Sequence, residues 1–325
     1  MEFSIGILGA SHPHCAGRIS QVSQIPSARI AGVYDADAEA ASAAAAAAHA
    51  ARRSSAEEVL CDDQLDLILI EGRNDECSEY AIRAAQMGRP MLLEKPGGET
   101  AARVAEAARA VERAGSFCQV GYHLRYSPSI AQGVEIVRRG QIGRITTCRF
   151  HAAVMQPWLT SEWFCDPHDR GGMVHNDFCH MLDLLTLFLG DLSSHNARIV
   201  KLAGVPEHPF EDSAAFVLSF GDVLAAGDCC GWEANDWIST WDIELYGTEG
   251  TLKLGIHPPW VRVYRPDSGW EETRDETFDG EMNYRYEIED AIAGVRQGRL
   301  NRGCGIAHAL KVAQWIDEMY LDNGV

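Results

Sequence analysis

The chain has 325 residues, 46% apolar and 23% charged, the balance of an ordinary globular protein with room for one large or two smaller domains. Its 28 basic and 47 acidic residues leave a net charge of −19, a surface that repels nucleic acid and anionic membranes. No apolar stretch approaches the roughly 20 residues of a transmembrane helix. A strand opens at once at Phe3, so no signal peptide is expected, and ten cysteines without a CxxC pair read as reduced thiols of a cytoplasmic protein.

In chain order, residues 4 to 8 predict a short buried strand. Gly9-Ala10-Ser11-His12-Pro13-His14 turns it into a helix that runs to about Val22. Residues 30 to 34 predict a second strand, ending on Asp35. Alanine dominates residues 38 to 51; as the best helix former, it predicts a surface helix rather than disorder. Ser55 and Glu58 have the spacing of a capping box for a short helix. Residues 65 to 70 predict a third strand, 76 to 87 a helix, 91 to 94 a fourth strand, 100 to 114 a helix capped by Thr100, and 117 to 120 a fifth strand. Strands alternating with helices at this spacing predict parallel βαβ units with right-handed crossovers.

The fourth strand ends in Glu94-Lys95-Pro96. Pro96 lacks an N–H and holds Lys95 extended. Glu94 and Lys95 are therefore expected at the carboxyl edge of a parallel sheet, where open α/β sheets bind ligands; an ordinary strand-end ion pair is the alternative. The first loop follows the dinucleotide pattern G-x-G-x-x-G incompletely, with Gly9 first, Ser11 second and His14 third. The Ser11 hydroxyl can hydrogen-bond a phosphate oxygen. Asp35 stands where a carboxylate binds ribose hydroxyls and repels the 2′-phosphate of NADP. A turn-forming role in Tyr34-Asp35-Ala36-Asp37 is its alternative.

Beyond Gly121 the character changes, and the expected domains are residues 1–121 and 122–325. A helix is predicted near 129 to 139, a strand at 144 to 154, a loop at 157 to 172 and a helix at 174 to 189. Alternating segments at 197–202, 213–220, 223–230, 241–247, 251–254 and 260–264 predict a mostly antiparallel sheet. Helices near 284–296 and 306–321 close the chain. On the 174–189 helix, Asn176, His180 and Asp183 can share one face, and Gly171-Gly172 before them allow a close approach of backbone or ligand. His151, His168, His175, His180 and Asp177 are plentiful, but His175 and His180 diverge on a helix and no zinc spacing is met; no metal is expected.

These pieces together resemble a known family. Gly6-Ile7-Leu8-Gly9, the Asp35 strand end, Glu94-Lys95-Pro96, Arg125-Tyr126-Ser127-Pro128, Gly140-Gln141-Ile142-Gly143, Gly171-Gly172 followed by His180-x-x-Asp183, and Leu245-Tyr246-Gly247-Thr248-Glu249-Gly250 are similar to the glucose–fructose oxidoreductase, inositol dehydrogenase and rhizopine-catabolism (Gfo/Idh/MocA) family, nearly end to end. The resemblance implies a fold of class α/β, with an N-terminal Rossmann dinucleotide-binding domain. The implied C-terminal α/β domain has a large open, mostly antiparallel sheet often used for dimer contacts. It also implies NAD(P)-dependent redox chemistry on a sugar, inositol or related polyol.

Carried over residue by residue, Lys95 is the family's catalytic or substrate-orienting lysine and His180 its acid/base. Asn176 stands where the family usually has aspartate; an amide can hold a hydroxyl but cannot take a proton. Of the family's T-P-N-x-x-H after the third strand, Gly72-Arg73-Asn74 keeps only the Asn. The implied cofactor-binding set is Gly9, Ser11, His12, Asp35, Gly72, Asn74, Glu94 and Lys95, with NAD as cofactor and NADP as the alternative. His180 would take the hydroxyl proton, suited by an unperturbed pKa of about 6.5, and Lys95 would stabilise the alkoxide. Asp183 would orient His180 or simply pack its helix. His123, Arg125 and Trp163 are candidate substrate contacts, beside Asn176 and His180; Trp163 is equally a core candidate. A homodimer or homotetramer is expected. The alternative class is a non-catalytic nucleotide- or sugar-binding regulatory protein of the same fold, favoured by Asn176.

Overall fold

Residues 2–155, 171–202, 210–233, 240–275 and 277–324 are described by the computed structural model; Trp163 and most of the expected 157–172 loop lie outside them. The chain divides into two units, residues 1–123 with 281–314, and residues 124–280 with 315–325.

The first unit is built on six parallel strands: β1 (Phe3–Leu8), β2 (Ala28–Tyr34), β3 (Ala51–Arg52), β4 (Leu67–Ile70), β5 (Met91–Leu93) and β6 (Cys118–Val120). Their order is β6-β5-β4-β1-β2-β3, which reverses direction between β1 and β4, the arrangement that opens a ligand crevice at the carboxyl ends of the strands. β4 reads Leu-Ile-Leu-Ile and is buried throughout. That is what a strand covered on both faces demands. Helices α1 (His14–Val22), α2 (Ala38–Ala47), α3 (Ala56–Leu60), α4 (Asn74–Gln86) and α5 (Ala101–Ala114) supply the cover. The alanine-rich α2 buries Ala41, Ala44 and Ala45, and its amino end is capped by Asp37. Ser55 caps α3 by accepting the Glu58 N–H at 3.3 Å; the Glu58 carboxylate returns to the Ser54 N–H rather than to Ser55. Thr100 caps α5, which ends on left-handed Gly115.

Two late elements belong to this unit. The Met282–Gln297 helix packs on α1. The Cys304–Gly305 strand pairs antiparallel with β6. A division at residue 121 assigns both to the second domain. The contacts that place them in the first unit come from sequence positions far apart.

The second unit starts with α6 (Pro128–Arg138) and holds an eight-stranded sheet: β7 (Ile145–Met155), β8 (Ser194–Val200), β9 (Ser213–Phe220), β10 (Val223–Glu233), β11 (Trp241–Gly247), β12 (Thr251–His257), β13 (Trp260–Arg265) and β14 (Gly269–Arg274). The order is β14-β13-β12-β11-β7-β10-β9-β8. Only the β7–β10 pair is parallel; the others are antiparallel. β9 alternates, burying Ala214, Phe216, Leu218 and Phe220 and exposing Val217. Phe216 stacks on Phe178 at 3.9 Å between ring centroids. The register carries the opposite face across the sheet as one row, Val217–Ala226–Arg149–Glu244–Lys253–Arg262–Glu272. No helix among the described residues is long and apolar enough to cross a membrane.

Candidate functional site

The loop after β1 is tied to the ends of its neighbours. The Gly9 N–H donates to Tyr34 O at 2.8 Å and the His12 N–H to Glu71 O at 3.0 Å. Gly9 has φ +76°, and a Cβ there would come within 2.4 Å of Gly72 Cα; only glycine fits. Asp35 accepts the Ala10 N–H at 2.5 Å and the Asp37 N–H at 2.7 Å. It therefore clamps the glycine loop and also makes the turn that was its alternative reading. Ser11 Oγ is buried and has no hydrogen-bond partner among the described residues. An orphaned hydroxyl at the second position of this loop fits a phosphate oxygen, because a buried donor left unmade is costly. Gly72 closes on Gly9, and Asn74 is buried at the first position of α4.

Glu94 and Lys95 follow β5, with a cis bond between Lys95 and Pro96. Both side chains are buried, and Glu94 Oε1 is a hub. His14 Nδ1 lies 3.0 Å from it, His12 Nε2 3.6 Å and Lys95 Nζ 3.8 Å. Oε2 accepts from Arg18 Nη1. Arg18 also donates through Nη1 to Glu71 at 2.8 Å, and through Nε and Nη2 to Glu287 Oε2 at 3.1 and 2.8 Å. Burial pushes the Glu94 carboxyl up, but Arg18, His12 and Lys95 outweigh it and hold it down at about 2. Burial, against the pull of Arg18, raises Glu71 to about 8 and Glu287 to about 7. Burial also lowers His12 and His14 well below the ordinary histidine range, with Lys95 and Arg18 adding to the effect; both rings are neutral.

Arg18, Glu71 and Glu287 were not legible as site residues. The available signal was position: Arg18 falls three residues after Cys15 and four before Val22, both buried on α1, so it faces inward.

His12, His14 and Glu94 place potential ligand atoms within 4.8 Å of one another, a grouping that motif spacing did not suggest. His12 Nδ1 accepts the His14 N–H at 3.1 Å, so the neutral ring carries its proton on Nε2, the atom facing Glu94. A metal would need a lone pair there. With Lys95 and Arg18 on the same carboxylate, the cluster is a set of donors around one anion. His14, His123 and Tyr284 form an aromatic group beside it, with centroids 4.6 to 5.4 Å apart.

In the second unit, α7 (Cys179–Leu189) is preceded by a π turn over Val174–Phe178, where a single α-helix was expected. Such turns are frequent at functional sites. Gly172 has φ +95°, and a Cβ would sit 2.4 Å from Glu211 Oε2. What approaches the Gly-Gly segment is thus the protein's own Glu211, which accepts the Val174 N–H at 2.9 Å and the Tyr320 O–H at 2.5 Å. Asn176 is buried, and its N–H and its Nδ2 both donate to Gly172 O, at 3.0 and 3.2 Å. His180 is buried in the first turn of α7, edge-on to Trp241 at 6.4 Å.

Asp183 is paired with Arg125. Its carboxylate accepts Arg125 Nε at 2.8 Å and Nη2 at 2.5 Å, a bidentate pair. Two nitrogens of the Arg125 fork, Nε and Nη2, are thus engaged by this carboxylate.

Residues 3–122 match the family described as an oxidoreductase family with an NAD-binding Rossmann fold, and residues 130–253 match the GFO/IDH/MocA C-terminal domain. The first unit's parallel sheet is thus an NAD-binding Rossmann domain. The chain is 26% identical over 204 residues to 1,5-anhydro-D-fructose reductase of Ensifer adhaerens, covering 61% of this chain and 60% of that protein. It is 26% identical over 221 residues to inositol 2-dehydrogenase 2 of Saccharopolyspora erythraea, covering 67% and 63%. It therefore spans less than two thirds of the length of these curated relatives. The fold is similar to that of levoglucosan dehydrogenase in complex with NADH, with TM-score 0.91 at 16% identity over 100% of this chain and 97% of that one.

Proposed function

The chain belongs to the GFO/IDH/MocA oxidoreductase family, and from that premise we propose that it is an NAD-dependent dehydrogenase acting on a secondary hydroxyl, or the matching ketone, of a sugar, inositol or related polyol. The observation that carries the reading is the carboxyl edge of the parallel sheet. The orphaned Ser11 hydroxyl, Asp35 and the Glu94–Lys95 pair all follow the carboxyl ends of its strands. Bound NAD supplies the hydride acceptor.

The chain's own groups do the rest. The Ser11 hydroxyl donates to a pyrophosphate oxygen. Asp35 receives the ribose hydroxyls and disfavours a 2′-phosphate. Lys95 stabilises negative charge on the substrate oxygen. His180 takes or returns the hydroxyl proton, and Asn176 contributes its amide oxygen to holding a hydroxyl. His123 beside the Glu94 hub is the remaining substrate contact we assign. The curated relatives' names support sugars and inositols as the substrate class.

The open face of the eight-stranded sheet is assigned to self-association, on the half-exposed Val217 and Leu224. A cytoplasmic site of action is assigned on the nine described cysteines, all free thiols.

Calorimetric titration with NAD and NADP, beside a polyol screen read by NADH formation, tests the reading. NAD should bind more tightly, and Asp35→Ala should narrow the gap. Equal or tighter NADP binding would overturn the cofactor assignment; no NADH from any polyol would overturn the activity.

A further inference from the structure

Arg18 is fully buried and faces three carboxylates that arrive from separate elements: Glu71 after β4, Glu94 after β5 and Glu287 on the Met282–Gln297 helix. All three are closed off from solvent. With every carboxyl ionised, Arg18 and Lys95 contribute two positive charges against three negative ones, leaving one uncompensated buried charge. Such a charge is expensive unless it is neutralised.

The hydrogen bonds say where neutralisation falls. Glu94 accepts from Arg18 and is ringed by His12, His14 and Lys95, so it is the carboxyl best held as an anion. Glu71 and Glu287 face Arg18 as their positive partner. Glu287 Oε1 is buried and has no hydrogen-bond partner among the described residues, an arrangement far less costly for a neutral acid than for a carboxylate.

We propose that Arg18 is the positioning residue of the Glu94–Lys95 pair, and that one proton distributed over Glu71 and Glu287 keeps this cluster neutral and the pair in place. The role given to Lys95 rests on the function proposed above; the cluster itself does not. Arg18 fixes Glu94 Oε2, which leaves Oε1 to hold Lys95 and His14. The anchor comes partly from the Met282–Gln297 helix, so a residue late in the chain sets the geometry of a lysine in the Rossmann sheet.

The direction of the pH effect follows. Burial raises both Glu71 and Glu287, to about 8 and about 7, above the ordinary 4.5, so the proton they share is held more tightly than in water. The folded chain therefore keeps a proton that the unfolded chain releases. The contribution of these groups to stability is whole below about 4.5 and is lost as pH rises through 7 to 8. Glu94, near 2, acts oppositely: its contribution is present above 4.5 and lost only as pH falls towards 2. The other titratable and charged groups facing the cluster are His12 from the loop, His14 and Cys15 on α1, Lys95 after β5, and Tyr284 and Asp290 on the late helix. The two histidines stay neutral across this window, and the Cys15 thiol and Tyr284 hydroxyl, both raised by burial, stay protonated.

The test is thermal unfolding of the full chain from mildly acidic to mildly alkaline pH, for wild type, Glu71→Gln, Glu287→Gln and Arg18→Lys, with turnover measured in parallel. Wild type should lose Tm as pH rises through 7 to 8. Each Gln variant, an amide in place of the protonated acid, should flatten that loss and extend the alkaline limb of kcat. Arg18→Lys keeps the charge without the fork and should lower kcat about tenfold, with the KM for polyol changed less than about twofold. Gln variants that lose Tm as steeply as wild type would overturn the proposal, as would Arg18→Lys with wild-type kcat. If wild type turns over no polyol, the function reading fails while the unfolding series still decides the cluster; if Arg18→Lys does not fold, the Gln variants decide it.

Discussion

At the residue scale, Asn176 looks from the family pattern like a lost carboxylate, and Asn176→Asp looks like a restoration that should leave activity similar or improve it. The packing argues otherwise. Asn176 Nδ2 donates to Gly172 O at 3.2 Å in a fully buried position, and a carboxylate there would oppose that oxygen. Asn176→Asp should cost about 1 to 3 kcal/mol, read by denaturant unfolding, and should not raise turnover. An unchanged unfolding midpoint with faster turnover would contradict this. The contrast also shows what the sequence could reveal. Gly9, Asp35, Glu94 and Lys95 were legible because each sits in a contiguous motif at a strand end. Arg18 and Glu287 were not, because their bond spans 269 residues. Glu211 was hidden in the same way, since its bond to Val174 joins segments 37 residues apart.

At the element scale, the helix that carries His180 is held by groups outside its own periodic pattern. Apolar spacing gave its extent, but not the π turn at its start, because a one-residue insertion leaves no compositional trace. It also gave Asp183 a place on the His180 face without revealing its partner. Asp183 is buried beneath Arg125, with side-chain exposures of 1% and 10%. Removing one member of such a pair strands the other's charge. Arg125→Ala should therefore destabilise the chain by about 3 to 5 kcal/mol, far more than loss of a surface contact. The double change Arg125→Met with Asp183→Leu should recover most of that loss; chemical denaturation of the three proteins checks it. Long apolar or alternating strands were likewise readable. β3 and Cys304–Gly305 are too short to show a period, and β14, Gly-Trp-Glu-Glu-Thr-Arg, lacks apolar alternation because it is an exposed edge.

At the scale of the whole molecule, the eight-stranded sheet keeps one face for its core and shows the other as a graded row. Val217 and Ala226 begin it, and Glu244–Lys253 and Arg262–Glu272 ion pairs continue it. Val217 and Leu224 are each 50% exposed, and an antiparallel face of this kind is hydrated or paired. Light scattering at micromolar concentration should show a dimer or larger, and Val217→Lys with Leu224→Lys should shift it towards monomer; a monomeric wild type would contradict the assignment. Lys95 and His180 are the residues to which the proposed redox chemistry is assigned. The measurement that tests this assignment most directly is NADH formation by wild type, Lys95→Ala and His180→Ala on one identified polyol across pH. Each variant should fall about a hundredfold in kcat, Lys95→Ala through lost electrostatic stabilisation and His180→Ala with a changed pH profile and little change in NAD affinity. Full activity in both variants would contradict the account.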